Sequence, residues 1–191
     1  PRAEDASHGL SPESLVHDFA ALEKQVGFIS RSYGGCALVE KFIDGREFNA
    51  TVLGNGNSEC IALPVSEITY SLPPGMPKIL TFAAKWEADS LYFQGTNAVC
   101  PAPISDEKQA QIAEIAIAVF QLLGCQSYAR VDMRMDQEGQ IYVLEVNPNP
   151  DISPMLSGAV RQAEAAGMNY ERFIQRIVDM ALERKPQWNS G

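Results

Sequence analysis

Residues 127–147 constrain this chain more than any other stretch. Two runs of alternating polar and apolar residues flank Asp136-Gln137-Glu138-Gly139, a four-residue turn signal. Alternation with a period of two predicts strands at about 127–135 and 140–147, closed into an antiparallel hairpin. With the turn centred near residue 138, Asp132 falls opposite or diagonally beside Glu145, and Arg130 falls near Asn147. Alternation then gathers Arg130, Asp132, Glu145 and Asn147 on one face, together with Ile141 and Val143. Ala129, Val131, Met133, Tyr142, Leu144 and Val146 fall on the other, which reads as core.

Two carboxylates facing each other across a ladder repel by about 0.2–1 kcal/mol when exposed, and by more when shielded. Arg130 offsets part of this. A hard divalent cation offsets it better, because carboxylate and amide oxygens are the ligands magnesium accepts. Pro148-Asn149-Pro150 follows at once and stiffens the backbone beside the acidic pair.

The rest of the chain mixes helices and strands without regular alternation. Ser11-Pro12-Glu13 has the form of a helix start, and Leu15, Phe19, Leu22 and Val26 continue it at helical spacing. Strands are predicted over 37–42 and 46–53, around Asp44-Gly45. Asn55-Gly56 is a hairpin signal, and a further strand pair is predicted over 58–70. Ser105 caps a helix to about 123, with Ile112, Ile115, Val119 and Leu122 or Leu123 as its stripe and Gly124 as its stop. Helices at roughly 157–166 and 170–184 close the chain. This order predicts an α+β fold built on antiparallel sheets.

Composition narrows the function. A net charge of −9 argues against a general nucleic-acid surface. No apolar run approaches the roughly 20 residues that span a bilayer, and the chain does not open like a signal peptide, so a soluble, cytoplasmic protein is expected. Cys36, Cys60, Cys100 and Cys125 form no CxxC pair and read as buried reduced thiols. His8 and His17 are too few for a histidine-rich metal site.

The segment YARVDMRMDQEGQIYVLEVNPNP, residues 128–150, resembles the metal-binding signature of the ATP-grasp superfamily in its D-alanine–D-alanine ligase branch. The resemblance implies an ATP-grasp fold with two lobes around an ATP cleft. It also implies an ATP-dependent carboxylate–amine ligase that forms an amide through an acyl phosphate. It assigns two magnesium ions, with manganese as their substitute, to Asp132, Glu145 and Asn147, and it assigns Arg130 to the acyl phosphate and the tetrahedral intermediate. VEKFIDGREF, residues 39–48, is similar to the family's adenine hinge. By resemblance Glu40 accepts from the adenine amino group, Lys41, Phe42 and Ile43 line the base, and Glu47 binds the ribose hydroxyls. Lys85 matches a lysine near the phosphates. PRAEDASHGL, the first ten residues, resembles the loop that folds over them, with Ser7 and Gly9 fitting a phosphate cradle.

The resemblance runs from Pro1 to about Lys185. It implies residues 1–47 as the C-terminal part of the small lid subdomain and 48–191 as the large catalytic subdomain, with the N-terminal substrate domain upstream of this chain. The implied partners are a small carboxylate and an amine, an amino acid or a peptide; a homodimer would form through that upstream domain. A non-catalytic nucleotide-binding module, or a ligase of another substrate class, is the alternative. The run Pro148 to Pro154 departs from the branch, where small hydroxyl residues hold the second substrate's carboxylate. Asp151 places negative charge there, which points to a cationic amine rather than D-alanine.

Overall fold

An eleven-residue strand, β1 (Gly45–Asn55), pairs along its whole length with a second of equal length, β5 (Gln126–Asp136), and the two run antiparallel. The structure, a computed structural model, describes residues 1–56, 59–154 and 157–184. Ser58, the predicted start of one strand pair, and Lys185, the end of the resemblance, lie outside them. Beside the central pair lie β2 (Ile61–Ala62), β3 (Ser66–Tyr70), β4 (Thr96–Val99) and β6 (Ile141–Asn147). The sheet order is β4-β3-β1-β5-β6, and β2 also pairs with β1. The described helices are α1 (Phe19–Tyr33), α2 (Phe82–Trp86), α3 (Leu91–Gly95), α4 (Asp106–Leu122), α5 (Gly158–Ala165) and α6 (Tyr170–Glu183).

The chain divides into two compact units, Pro1–Asp44 with Thr69–Asn97, and Gly45–Ile68 with Ala98–Gly191. In the first unit, the opening ten residues pack on the segment around α2. Ser7 Oγ donates to the Leu80 carbonyl at 2.8 Å, the Phe82 amide donates to the Leu10 carbonyl at 3.0 Å, and Trp86 Nε1 donates to the Ala6 carbonyl at 3.1 Å.

The second unit stacks helices on both faces of the β1–β5 pair. Phe48, Ala50, Val52, Ala129, Val131 and Met133 on one face meet Ile112, Ala116 and Phe120 of α4, all fully buried. Leu53 on the reverse face, with Leu63, meets Ala159, Val160 and Ala163 of α5 and Phe173 and Met180 of α6. Gln162 of α5 is also fully buried, and both ends of its amide are used. Its Oε1 accepts from the Thr51 amide at 2.9 Å, and its Nε2 donates to the Asn49 carbonyl and side chain at 2.9 and 2.8 Å.

Several local expectations change. The helix signal at Ser11 yields only a single 3-10 turn, Pro12–Ser14. The long helix α1 starts at Phe19, where the Asp18 carboxylate caps the Ala21 amide at 2.8 Å. Phe19 is therefore 78% exposed, and the inner stripe shifts to Leu22, Val26 and Ile29. Residues 37–42 form no strand; Leu38 and Val39 have no sheet partner to cover them and stay exposed. On α4, Leu122 and Leu123 are exposed, because the packed stripe is Ile112, Ala116 and Phe120, at a spacing of four. Cys36 is exposed and only Cys125 is buried, and the four cysteines form no disulfide. Among the described residues, no helix is long and apolar enough to cross a membrane.

The correction on α4 has a direct measure. Phe120→Ala should cost about 3–5 kcal/mol, as truncating a fully buried aromatic does. Leu122→Ala should cost less than about 0.5 kcal/mol, as surface changes do. Urea denaturation followed by circular dichroism reads both.

Candidate functional site

The register places the candidate residues in rows. Arg130 pairs with Asn147 and Asp132 with Glu145 across β5–β6, as the hairpin spacing predicts. Across β1–β5, Thr51 pairs with Arg130, Asn49 with Asp132 and Glu47 with Arg134. Residues in register across a sheet share a face, so Glu47, Asn49, Arg130, Asp132, Arg134, Glu145 and Asn147 line one side. This is the side on which α5 and α6 pack beyond Asn49 and Thr51.

A bulge between Asp132 and Met133 changes the phase of β6. One extra residue in a strand flips the faces of everything beyond it. Ile141, placed on the polar face by simple alternation, instead packs into the α4 core at 7% exposure. Tyr142, placed in the core, turns to the polar side and donates its hydroxyl to Asp136 Oδ2 at 3.1 Å. Val143 and Leu144 are exposed, so Leu144 is not core.

The electrostatics of the face are tightly drawn. Arg130 grips Asp132 with a two-pronged bond, Nε to Oδ1 at 2.6 Å and Nη2 to Oδ2 at 2.7 Å. Both side chains are more than four-fifths buried. Burial works to lower the Arg130 pKa, but the bond from Asp132 and the charges of Asp132, Glu145 and Asp151 outweigh it, and the net direction is upward. Arg130 therefore stays a fixed cation. Further along the face, Arg134 Nη1 donates to Glu47 Oε2 at 3.0 Å and its Nη2 to the Gly45 carbonyl at 3.3 Å.

The loop after β6 is anchored to the same face. Asn147 Oδ1 accepts from the Asn149 amide at 3.1 Å, and Tyr128 donates its hydroxyl to Asn149 Oδ1 at 2.8 Å. Asp151 is braced within the loop, accepting from the Ser153 amide and hydroxyl, both at 2.8 Å.

The donor set suits a hard divalent cation. No group of three or more His, Cys, Asp or Glu side chains assembles among the described residues. What Asp132, Glu145 and Asn147 offer is two carboxylates and an amide oxygen. That is a partial oxygen shell of the kind magnesium completes with water and phosphate. Asp132 already serves Arg130, yet each carboxylate oxygen carries two lone pairs, so it can serve a cation as well.

The remaining candidates lie on the first unit, Glu47 excepted. Ser7 and Gly9 sit in the loop that packs against α2, the helix that carries Lys85. Ser7 spends its hydroxyl proton on Leu80 and has a left-handed φ of 64°. Gly9 has φ 79°, and a Cβ there would sit 2.5 Å from Pro1 Cγ, so only glycine fits. Glu40 and Lys41 are exposed, Phe42 is half-buried and Ile43 is buried, on backbone that forms no strand.

Arg134 escapes the sequence reading. It stands two residues after Asp132 on the same face, and that was the available signal. Its partner Glu47 is 87 residues away, and hairpin spacing carries no information about so distant a pairing.

The fold is shared with solved ligases. A D-alanine–D-alanine ligase of Bacillus anthracis, complexed with ATP, superposes with a TM-score of 0.68 at 23% identity over 88% of this chain and 48% of that one. The D-alanine–D-alanine ligase of Coxiella burnetii gives a TM-score of 0.68 at 24% identity over 88% and 40%. The architecture is thus the α+β ATP-grasp fold. Residues 7–179 match the family described as D-ala D-ala ligase C-terminus, and the chain belongs to that family. An uncharacterised protein of Sinorhizobium fredii is 39% identical over 184 residues, which is 96% of this chain and 51% of that protein. A D-alanine–D-alanine ligase of Pelotomaculum thermopropionicum is 33% identical over 155 residues, 81% of this chain and 45% of the relative. The chain thus spans about half the length of the relatives it matches.

The Glu47–Arg134 pair yields a stability prediction. Arg134→Met takes the guanidinium from a buried carboxylate and should cost about 3–5 kcal/mol. Adding Glu47→Gln removes the charge as well and should restore much of that loss, so the two effects are strongly non-additive. Denaturation of both singles and the double closes the cycle.

Proposed function

We propose that this chain is the ATP- and magnesium-binding portion of an ATP-dependent carboxylate–amine ligase of the D-alanine–D-alanine ligase type. The observation that carries this reading is the row order along β5. The Glu47/Arg134 row, the Asp132/Glu145 row and the Arg130/Asn147 row follow one another on one face. Rows two residues apart on a strand are separated by roughly 7 Å. That spacing matches a nucleotide laid along the strand, with its ribose at Glu47, its phosphates and cations at Asp132, Glu145 and Asn147, and the reacting carboxylate at Arg130. By the family resemblance, Glu40, Lys41, Phe42 and Ile43 are the residues proposed for the base, and Ser7, Gly9 and Lys85 those proposed for the phosphates. In this reading residues 1–47 belong to the lid subdomain and residues 48–191 to the catalytic subdomain.

In the reaction, a substrate carboxylate oxygen attacks the γ-phosphorus and the bond to ADP breaks, giving an acyl phosphate. The amine nitrogen then attacks the carbonyl carbon, loses a proton, and expels phosphate as the amide forms. Arg130, fixed by Asp132, holds donors toward the oxygen on which negative charge develops, and removing such a donor typically costs about 10²–10³ in rate. Bound magnesium or manganese neutralises the phosphates and aligns transfer. Lys85 adds a point charge.

Two experiments test this. In the intact protein that contains this chain, Asp132→Ala should lower ADP release by at least about 10²-fold; turnover at the wild-type rate would remove the metal assignment. For the substrate, the charge of Asp151 within reach of Arg130 supports a cationic amine. A product screen over neutral and cationic amino acids should favour the cationic ones, and D-alanyl-D-alanine as main product would overturn that choice.

A further inference from the structure

On the polar row of β5, Arg130 and Asp132 have assigned roles, and Arg134, the next residue of the row, has none. Its guanidinium is buried, with 5% of the side chain exposed against 11% for Glu47. Both members of the pair are buried, and Glu47 keeps the larger exposed fraction.

A buried ion pair is a poor way to gain stability. The cost of drying two charges cancels most of their attraction, and a well-packed apolar pair of the same volume does as well or better. The reverse face of the same two strands is filled that way, by Phe48 beside Met133. What an ion pair supplies and an apolar pair does not is a carboxylate held in one orientation with acceptor capacity to spare. A carboxylate offers about four lone-pair sites. Arg134 Nη1 donates to Glu47 Oε2 at 3.0 Å. A second bond, from Arg134 Nη2 to the Gly45 carbonyl, pins the guanidinium to the start of β1.

We infer that Arg134 is a positioning residue for nucleotide binding: anchored to the Gly45 carbonyl, it holds the Glu47 carboxylate in the orientation in which that carboxylate meets the ribose hydroxyls. The inference rests on the reading of Glu47 as the ribose ligand. It adds that the preference for ribose hydroxyls depends on a residue that never touches the nucleotide.

The test is a ratio of affinities, which a general loosening of the fold would not move. Titration calorimetry with magnesium present measures binding of ATP and of 2′,3′-dideoxy-ATP, which lacks both hydroxyls, to the intact protein. A carboxylate that accepts from a hydroxyl should favour ATP by about tenfold or more. Glu47→Gln should cut that preference to about threefold or less. Arg134→Met and Arg134→Gln, checked for folding by circular dichroism, should do the same; glutamine is shorter, is neutral and offers one nitrogen where Arg134 uses two, so it loses the anchored brace, and it carries the test if Arg134→Met does not fold. Full wild-type preference in either folded Arg134 variant overturns the positioning role while leaving Glu47 in place. No preference in the wild type overturns the ribose assignment, and the positioning role falls with it.

Discussion

The pairing of β1 with β5 is the constraint on which the rest of this structure depends. Eleven residues of each strand are in register, and three of those pairs set Glu47, Asn49 and Thr51 opposite Arg134, Asp132 and Arg130. A slip of one residue would send every one of these side chains to the other face and put Phe48 and Met133 in their place. Gly45 marks the end of the register. A Cβ there would collide with the Met135 carbonyl oxygen, so the two backbones close to this distance only because the residue is glycine.

The register also explains how one sheet can be greasy on one side and charged on the other. Helix α4 covers the apolar face with Ile112, Ala116 and Phe120. On the reverse face, α5 and α6 cover only the end at Leu53, and Gln162 marks where that cover meets the polar rows. Its amide satisfies backbone and side chain of Asn49 together, which lets a helix end beside a charged region without stranding the amide of Thr51.

The sequence disclosed what is local and periodic. The hairpin, its pairing of Asp132 with Glu145, the Ser105 cap and the limits of α4 followed from alternation, turn chemistry and capping. Simple alternation failed past the bulge, because a one-residue insertion leaves no mark in the hydrophobic pattern: Ile141 and Val143 read as well on either face. It failed at 37–42 because propensity cannot say whether a strand will find a partner. It failed at Ser11 because the cap of the long helix is Asp18, seven residues on, and Ser11 leads only into a 3-10 turn. Arg134 was visible in the right row, but its importance depends on Glu47, and only the long-range pairing brings those two together.

The two-pronged bond between Arg130 and Asp132 has one more consequence. In many small metal-binding domains, the acidic ligands repel until the ion arrives, so folding waits on loading. Here the strand supplies its own counter-ion two residues away, and the acidic row is compensated by the polypeptide itself. Assembly of the scaffold would then be independent of any ion the face is proposed to bind. Under the proposed function, a divalent cation would enter as one participant in a charge network that already stands, and it would come and go with the phosphates it accompanies while the hairpin keeps its shape.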